Sequence, residues 1–218
     1  MKLYSYFRSS ASYRVRIALN LKNLAYEVVP IHLLRNGGEQ FAPEYRKLNP
    51  DALVPALIDD TASDAAALTQ SVAIIEYLEE MYPQTPLLPP TALDRAYVRG
   101  IALSIACDIH PLNNLRGLRY LVRQMKVDEE AKNAWYRHWC EQGLASIETL
   151  LASDRRTGTF CFGETPSLAD CCLVPQVANA QRFGCDMSRL PTVMRINEAC
   201  LALDAFANAA PGRQPDAE

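Results

Sequence analysis

The spacing of apolar residues changes partway along this chain. Up to residue 82, short β-rich runs are interleaved with stretches of helical period, whereas from about residue 91 onward apolar positions recur at three-to-four spacing throughout. Leu3 to Phe7 predicts a first strand. Arg14 to Lys22 predicts a helix with Val15, Ala18 and Leu19 on one face, and Tyr26 to Ile31 a second strand. A weak helical connection over 39–47 leads to two short strands, Pro55 to Ile58 and Ala66 to Thr69. A helix from Ser71 to Met81 follows, with Ile74, Ile75 and Leu78 facing inward. The order βαβ, then ββα, predicts a small mixed sheet with helices on its faces.

The segment PQTPLLPPT, residues 83–91, carries four prolines in nine residues and cannot continue a helix. It predicts a stiff linker over 83–90 between a domain of residues 1–82 and an all-helical domain of residues 91–218. In the second domain Leu93 to about Gln124 reads as one long helix that Pro111 should kink, and 128–152 as another. Ser167 stands three residues before Asp170 and just ahead of an apolar run, the spacing of a capping box. The helix it opens should run to about Phe183, with a second kink at Pro175. A last helix is expected over 191–206, and the tail PGRQPDAE reads as coil.

Composition narrows the function. Of 218 residues, 49% are apolar and 22% charged, which is ordinary for a globular protein and excludes disordered, collagen-like and coiled-coil classes. A net charge of −3 lacks the broad positive field that nucleic acids or anionic membranes select, so any positive charge that matters must be local. No apolar run is long enough to span a membrane, and MKLYSYFRSS has no secretory apolar core. Seven cysteines, an odd number without a C-x-x-C pair, point to a reduced cytoplasmic protein with buried thiols. The three histidines are too scattered to suggest a metal site.

Three places could carry chemistry. Ser9, Ser10 and Ser12 lie between a strand end and a helix start, where hydroxyls either cap the helix or help its free N–H groups bind an anion. Pro55 opens an apparent strand, where its missing N–H needs an edge or a turn. A cis Val54-Pro55 bond would free the Val54 backbone for an extended ligand, but base frequencies favour trans. Gln70-Ser71 sits at a strand-to-helix junction and is open to the same two readings as the serines.

These residues carry a family resemblance. SSASYRVRIALNLK closely resembles the SSCxWRVRIALxLK signature of zeta-class glutathione transferases, the family of maleylacetoacetate isomerase. GGEQF, the LNPxxLVPAL stretch, QSxAIIEYLEE, CDIHPLNN, SLADCCLVPQVANAxRF and the closing RQPD follow in family order along the whole chain. The resemblance implies the glutathione transferase fold, α/β plus all-α. A thioredoxin-like N-terminal domain and an all-helical C-terminal domain would have a glutathione site in the cleft between them, in a homodimer. Ser9 would then donate to the glutathione sulfur, with Ser10 and Ala11 beside it, and Val54 would pair its backbone with the cysteinyl part, with Pro55 cis. Gln70 and Ser71 would hold the γ-glutamyl carboxylate, and Gln40 would contact the tripeptide from the other side. His110, Asn114, Leu115 and Arg116 would approach it from the helical domain. Ala11 and Tyr13 stand where the signature has Cys and Trp, so any role of that cysteine is absent.

The implied activity is cis–trans isomerisation of maleylacetoacetate to fumarylacetoacetate in tyrosine and phenylalanine breakdown, with glutathione as a catalytic cofactor that is not consumed. A thiolate that adds reversibly to the double bond makes it single long enough to rotate. Arg8, Arg116 and Arg182 are the candidate clamps for the anionic substrate, and Ser9, Ser10 and Arg8 the candidate catalytic set. Maleylpyruvate isomerase is the nearest alternative. A transferase-fold binding protein without catalysis is a more distant one, since Ser9, Gln70 and Ser71 are all present. Conjugation of halogenated acids would be a side activity.

Overall fold

The structure, a computed structural model, describes residues 1–61 and 66–218. Internal contacts group the chain into two units, Met1–Leu87 with Ala202–Glu218, and Leu88–Leu201. The first unit holds β1 (Lys2–Ser5), α1 (Ser10–Leu21), β2 (Glu27–Pro30), α2 (Pro43–Leu48), β3 (Ala56–Ile58), β4 (Leu68–Thr69) and α3 (Ser71–Met81). The sheet order is β2-β1-β3-β4, with β2 parallel to β1 through the α1 crossover and the other two pairs antiparallel. Leu3, Val15, Ala18, Leu19, Leu57, Ile74, Ile75 and Leu78 form its core, as their periodicity predicts.

The differences from expectation are local. β1 stops at Ser5 because Tyr6 to Ser9 closes a turn, the Ser9 N–H donating to Tyr6 O at 2.9 Å. α1 starts four residues before the apolar period does, because Ser9 caps it: the Ser9 hydroxyl oxygen accepts the Ser12 N–H at 3.2 Å. β3 begins after Pro55, which has no N–H to give the ladder. The end of the chain departs furthest. The helix expected over 191–206 ends at Leu201, and a short α9 (Asp204–Ala207) and a 3₁₀ turn (Pro211–Arg213) belong to the first unit, not to the helical one. They are held on one face of α1. Tyr13 OH donates to Phe206 O at 3.3 Å, Arg16 Nε to Ala209 O at 2.9 Å, and Asn20 Nδ2 to Ala205 O at 2.9 Å.

A buried ion pair fastens α1 to α3. Lys22 Nζ lies 2.8 Å from Glu79 Oε2 and also donates to the carbonyls of Tyr82 and Thr85, while Glu79 accepts the Leu87 N–H at 2.9 Å. Removing one partner strands a buried charge.

The second unit holds α4 (Ala92–Leu103), α5 (Leu115–Arg123), α6 (Glu129–Ser153), α7 (Leu168–Arg182) and α8 (Pro191–Leu201). The long helix expected over 93–124 is broken rather than kinked: a π turn over Ser104–Ile109 and a 3₁₀ turn over His110–Asn113 separate α4 from α5, which Asn114 caps anew. α7 runs through Pro175 without interruption. The capping box is present, with Asp170 Oδ2 accepting both the Ser167 N–H and its hydroxyl at 2.8 Å. Asp170 also takes the Cys161 N–H at 2.9 Å, and burial pushes its pKa up. Six cysteines are buried, Cys107 is exposed, and all are free thiols. Among the described residues no helix is long and apolar enough to cross a membrane, and no group of His, Cys, Asp and Glu could hold a metal ion.

Two stability predictions follow from these contacts. Glu79→Ala is expected to destabilise folding by about 3–5 kcal/mol, measured by urea denaturation, because Lys22 is left charged and buried. Asp59 carries an acid signature. Burial alone would raise its pKa, but hydrogen bonds from Thr61, Tyr82 and Tyr77 prevail and hold it at about 2. Its contribution is therefore present above the unfolded value of about 4 and is lost as pH falls toward 2. Asp59→Asn should lower stability at neutral pH, and its difference from the unmodified protein should shrink across that window.

Candidate active site

Chain direction brings the candidate loops of the first unit to one edge of the sheet. The register aligns Tyr4 with Ala56 and Ala56 with Thr69 in one row. Because β3 runs opposite to β1 and β4, that row is the end of β1, the start of β3 and the end of β4. The turn to Ser9, the Val54-Pro55 bond and Gln70-Ser71 all emerge there.

At the first of these places both readings of the serines hold together. Ser9 caps α1 by accepting from Ser12, which leaves its own hydroxyl proton available to a ligand. Ser10 is the buried first residue of α1 and Ala11, half-buried, follows. Arg8 is exposed, its guanidinium 4.8 Å from the Phe7 ring centroid. Two further arginines, which the motif contains but periodicity left without a role, are almost wholly buried in α1. Arg16 donates to Ser5 Oγ at 3.0 Å, to Phe7 O at 3.1 Å and to Ala209 O, and burial brings its pKa down to about 10. Arg14 Nη1 donates to Ser71 Oγ at 3.2 Å. A helix-face reading misses both, because a guanidinium inside a core looks like a break in the apolar pattern; only its hydrogen-bond partners explain it.

The second place corrects the base-frequency expectation: Val54-Pro55 is cis. The loop before it is fastened by Asn49, buried, whose Nδ2 donates to Leu53 O at 2.8 Å, and by the Tyr45 hydroxyl on the same carbonyl. Val54 packs with Tyr6, Phe7 and Tyr45 and precedes the paired register, so the sheet does not use its backbone groups.

At the third place Gln70 has φ 67 and its side chain makes no cap bond, so the first N–H groups of α3 are not taken by a side chain of the cap residue. Ser71 is buried, and its oxygen, accepting from Arg14, leaves the hydroxyl proton to a ligand. Gln40 is buried in the 3₁₀ turn Glu39–Phe41, with its amide 3.5 Å from Leu33 O. It folds back over Gly38, where a Cβ would meet it at 2.7 Å and where φ is +119°.

In the helical unit, His110, Asn114, Leu115 and Arg116 lie together where α4 gives way to α5. His110 Nε2 is 3.2 Å from Asn114 Nδ2, and Asn114 Oδ1 accepts the Arg116 N–H at 3.0 Å. The Arg116 side chain is exposed and Leu115 half-buried. Arg182 is exposed at the end of α7, engaged with Asn179 Oδ1 at 3.0 Å and 5.1 Å from the Phe183 ring centroid; Phe183 in turn stacks on Tyr136 at 3.7 Å.

Residues 3–86 match the model of the glutathione S-transferase N-terminal domain. A probable maleylacetoacetate isomerase of Vibrio cholerae is 53% identical, over 99% of this chain and 97% of its own. The holo structure of a maleylpyruvate isomerase, a bacterial glutathione transferase in the zeta class, superposes with a TM-score of 0.94 at 48% identity and covers all of both chains. The maleylacetoacetate isomerase of Methylobacterium extorquens AM1, with malonate and glutathione bound, does so with a TM-score of 0.95 at 43% identity over the same full extent. Identity at this level over complete chains shows that the chain belongs to the zeta class of the glutathione transferase family.

Proposed function

We propose that this chain is a glutathione-dependent cis–trans isomerase that converts maleylacetoacetate to fumarylacetoacetate. The observation that carries the reading is the single sheet edge on which a serine hydroxyl, unused strand backbone at a cis-proline and an uncapped helix start stand side by side. These groups fit the three chemically distinct parts of glutathione. The N–H groups at the start of α3, with Gln70 and the Ser71 hydroxyl, suit the γ-glutamyl carboxylate. The Val54 backbone suits the cysteinyl amide, and Ser9 the sulfur. Gln40, whose amide lies 3.5 Å from Leu33 O, is assigned to contact the tripeptide from the other side.

When bound, glutathione supplies a thiolate that adds reversibly to the conjugated double bond and so permits rotation. The work of the protein is to make that thiolate available and to hold the substrate. A free thiol near pKa 8.5 is only a few per cent ionised at neutral pH. Ser9 donates its proton toward the sulfur, and the N-terminal dipole of α1, with Ser10 and Ala11 in its first turn, favours negative charge at the same place. Arg8 is assigned to a substrate carboxylate, as are Arg116 and Arg182. An arginine stays charged and binds a carboxylate in bidentate fashion, and its charge also stabilises negative charge moving onto the substrate oxygen. His110, Asn114 and Leu115 are assigned to the glutathione side of the helical unit. A relative that holds malonate together with glutathione supports a site for a small dianion beside the tripeptide.

Maleylpyruvate is the second reading of the substrate, favoured by the likeness to the maleylpyruvate isomerase structure. A homodimer, as the family resemblance implies, and a cytoplasmic location, which seven free thiols support, complete the proposal. Isomerisation of both substrates, followed by ultraviolet absorbance with and without glutathione, decides between them. Faster turnover of maleylacetoacetate is expected, the reverse order favours the second reading, and equal rates without glutathione contradict both. Ser9→Ala is expected to lower kcat about tenfold to a hundredfold at neutral pH while glutathione affinity changes by less than about threefold. Arg8→Ala should raise KM for the substrate, with Arg8→Lys restoring little of it.

A further inference from the structure

The RQPD motif near the end of the chain has no part in the function described so far, and its contacts give it one. Asp216 Oδ2 accepts the N–H of Phe7 at 3.0 Å, across 209 residues of sequence. Phe7 is the second residue of the Tyr6–Ser9 turn, and its carbonyl is held from the other side by Arg16 Nη2 at 3.1 Å. Both polar groups of one residue in the turn that delivers Ser9 are thus fixed by side chains, one from α1 and one from the closing segment. That segment is itself lashed down. Gln214, buried, donates from Nε2 to Asn208 O and Ala210 O at 3.0 Å each, and Ala209 O is the third acceptor of Arg16.

We propose that Asp216, presented by the Gln214-anchored RQPD segment, is a positioning residue that fixes the Phe7 peptide and through it the Ser9 hydroxyl against the glutathione sulfur. The proposal rests on the reading of Ser9 given above. An acidic side chain close to a site that must stabilise a thiolate is electrostatically unfavourable by itself, so a role in charge stabilisation is excluded by its sign. Geometry is the role left to it, and the buried guanidinium of Arg16 attracts and offsets its charge. Among the described residues the other Asp216 oxygen, Oδ1, is buried without a hydrogen-bond partner, which leaves the bond from Phe7 to Oδ2 as the hydrogen bond of this carboxylate.

The test compares Asp216→Ala, which removes the acceptor, with Asp216→Asn, which keeps an oxygen there without the charge. In the glutathione-free protein, amide hydrogen exchange of the Phe7–Ser9 segment should accelerate in Asp216→Ala and stay near the original rate in Asp216→Asn. With glutathione bound, the thiol pKa, read from thiolate ultraviolet absorbance, should rise by about one unit in Asp216→Ala, a tenfold smaller thiolate fraction, with binding affinity changed by less than about threefold. Gln214→Ala, which loosens the segment without touching the turn, should shift both readouts the same way and stands in if Asp216→Ala does not fold. Unchanged exchange and thiol pKa in the folded variants would overturn the proposal. A thiol pKa that is not lowered in the unmodified protein would instead remove the function assigned to Ser9, leaving the exchange result to decide the positioning by itself.

Discussion

Two buried guanidiniums organise the glutathione-binding unit. A charge out of water must be met by hydrogen bonds, and Arg16 meets this demand by joining Ser5 at the end of β1, Phe7 in the following turn and Ala209 in the closing segment. Arg14, two residues earlier and so on a different side of the same helix, reaches Ser71 at the start of α3. The two helix starts proposed to receive glutathione, those of α1 and α3, are therefore tied together from within the core by side chains of one helix. Moving either helix start would break bonds to a buried cation, which opposes such movement.

This arrangement also accounts for the charge of the protein. A net charge of −3 gives no long-range attraction for an acid, and the positive charge that matters is placed residue by residue. Arg14 and Arg16 are inside and act on hydroxyls and carbonyls, whereas Arg8, Arg116 and Arg182 are exposed and are the ones proposed to meet a carboxylate. The same residue type thus has two jobs, distinguished by burial and by partners. Composition counts these residues together and cannot separate the roles.

Much of the fold is legible in the sequence, and what is not has physical reasons. α3 is readable to the residue because Ile74, Ile75 and Leu78 mark its inner face and Pro83 follows its end, α6 almost so because Asp128 caps its start, and the capping box at Ser167 and Asp170 forms as its spacing requires. The cis bond at Pro55 is invisible to residue statistics, since the preference belongs to the loop that Asn49 and Tyr45 fasten and not to the dipeptide. The break between α4 and α5 looks like one kinked helix because its apolar period persists through the π turn. The closing segment reads as coil because its anchors are side-chain-to-backbone bonds across nearly the whole chain length, which leave no periodic trace. Among site residues, the serines and Gln70 stand out at element junctions by spacing, but the choice between helix cap and ligand donor does not. The structure shows why: Ser9 caps with its oxygen while its proton stays available.

In the proposed reaction the thiol of bound glutathione, activated at Ser9, is the group that acts on the double bond. S-methylglutathione occupies the same binding groups and lacks only the ionisable sulfur, so it separates occupancy from chemistry. Isomerisation of maleylacetoacetate should vanish when S-methylglutathione saturates the protein and return, in proportion to the thiol bound, when glutathione displaces it. Turnover that persists with S-methylglutathione in full occupancy would exclude the thiol as the reacting group.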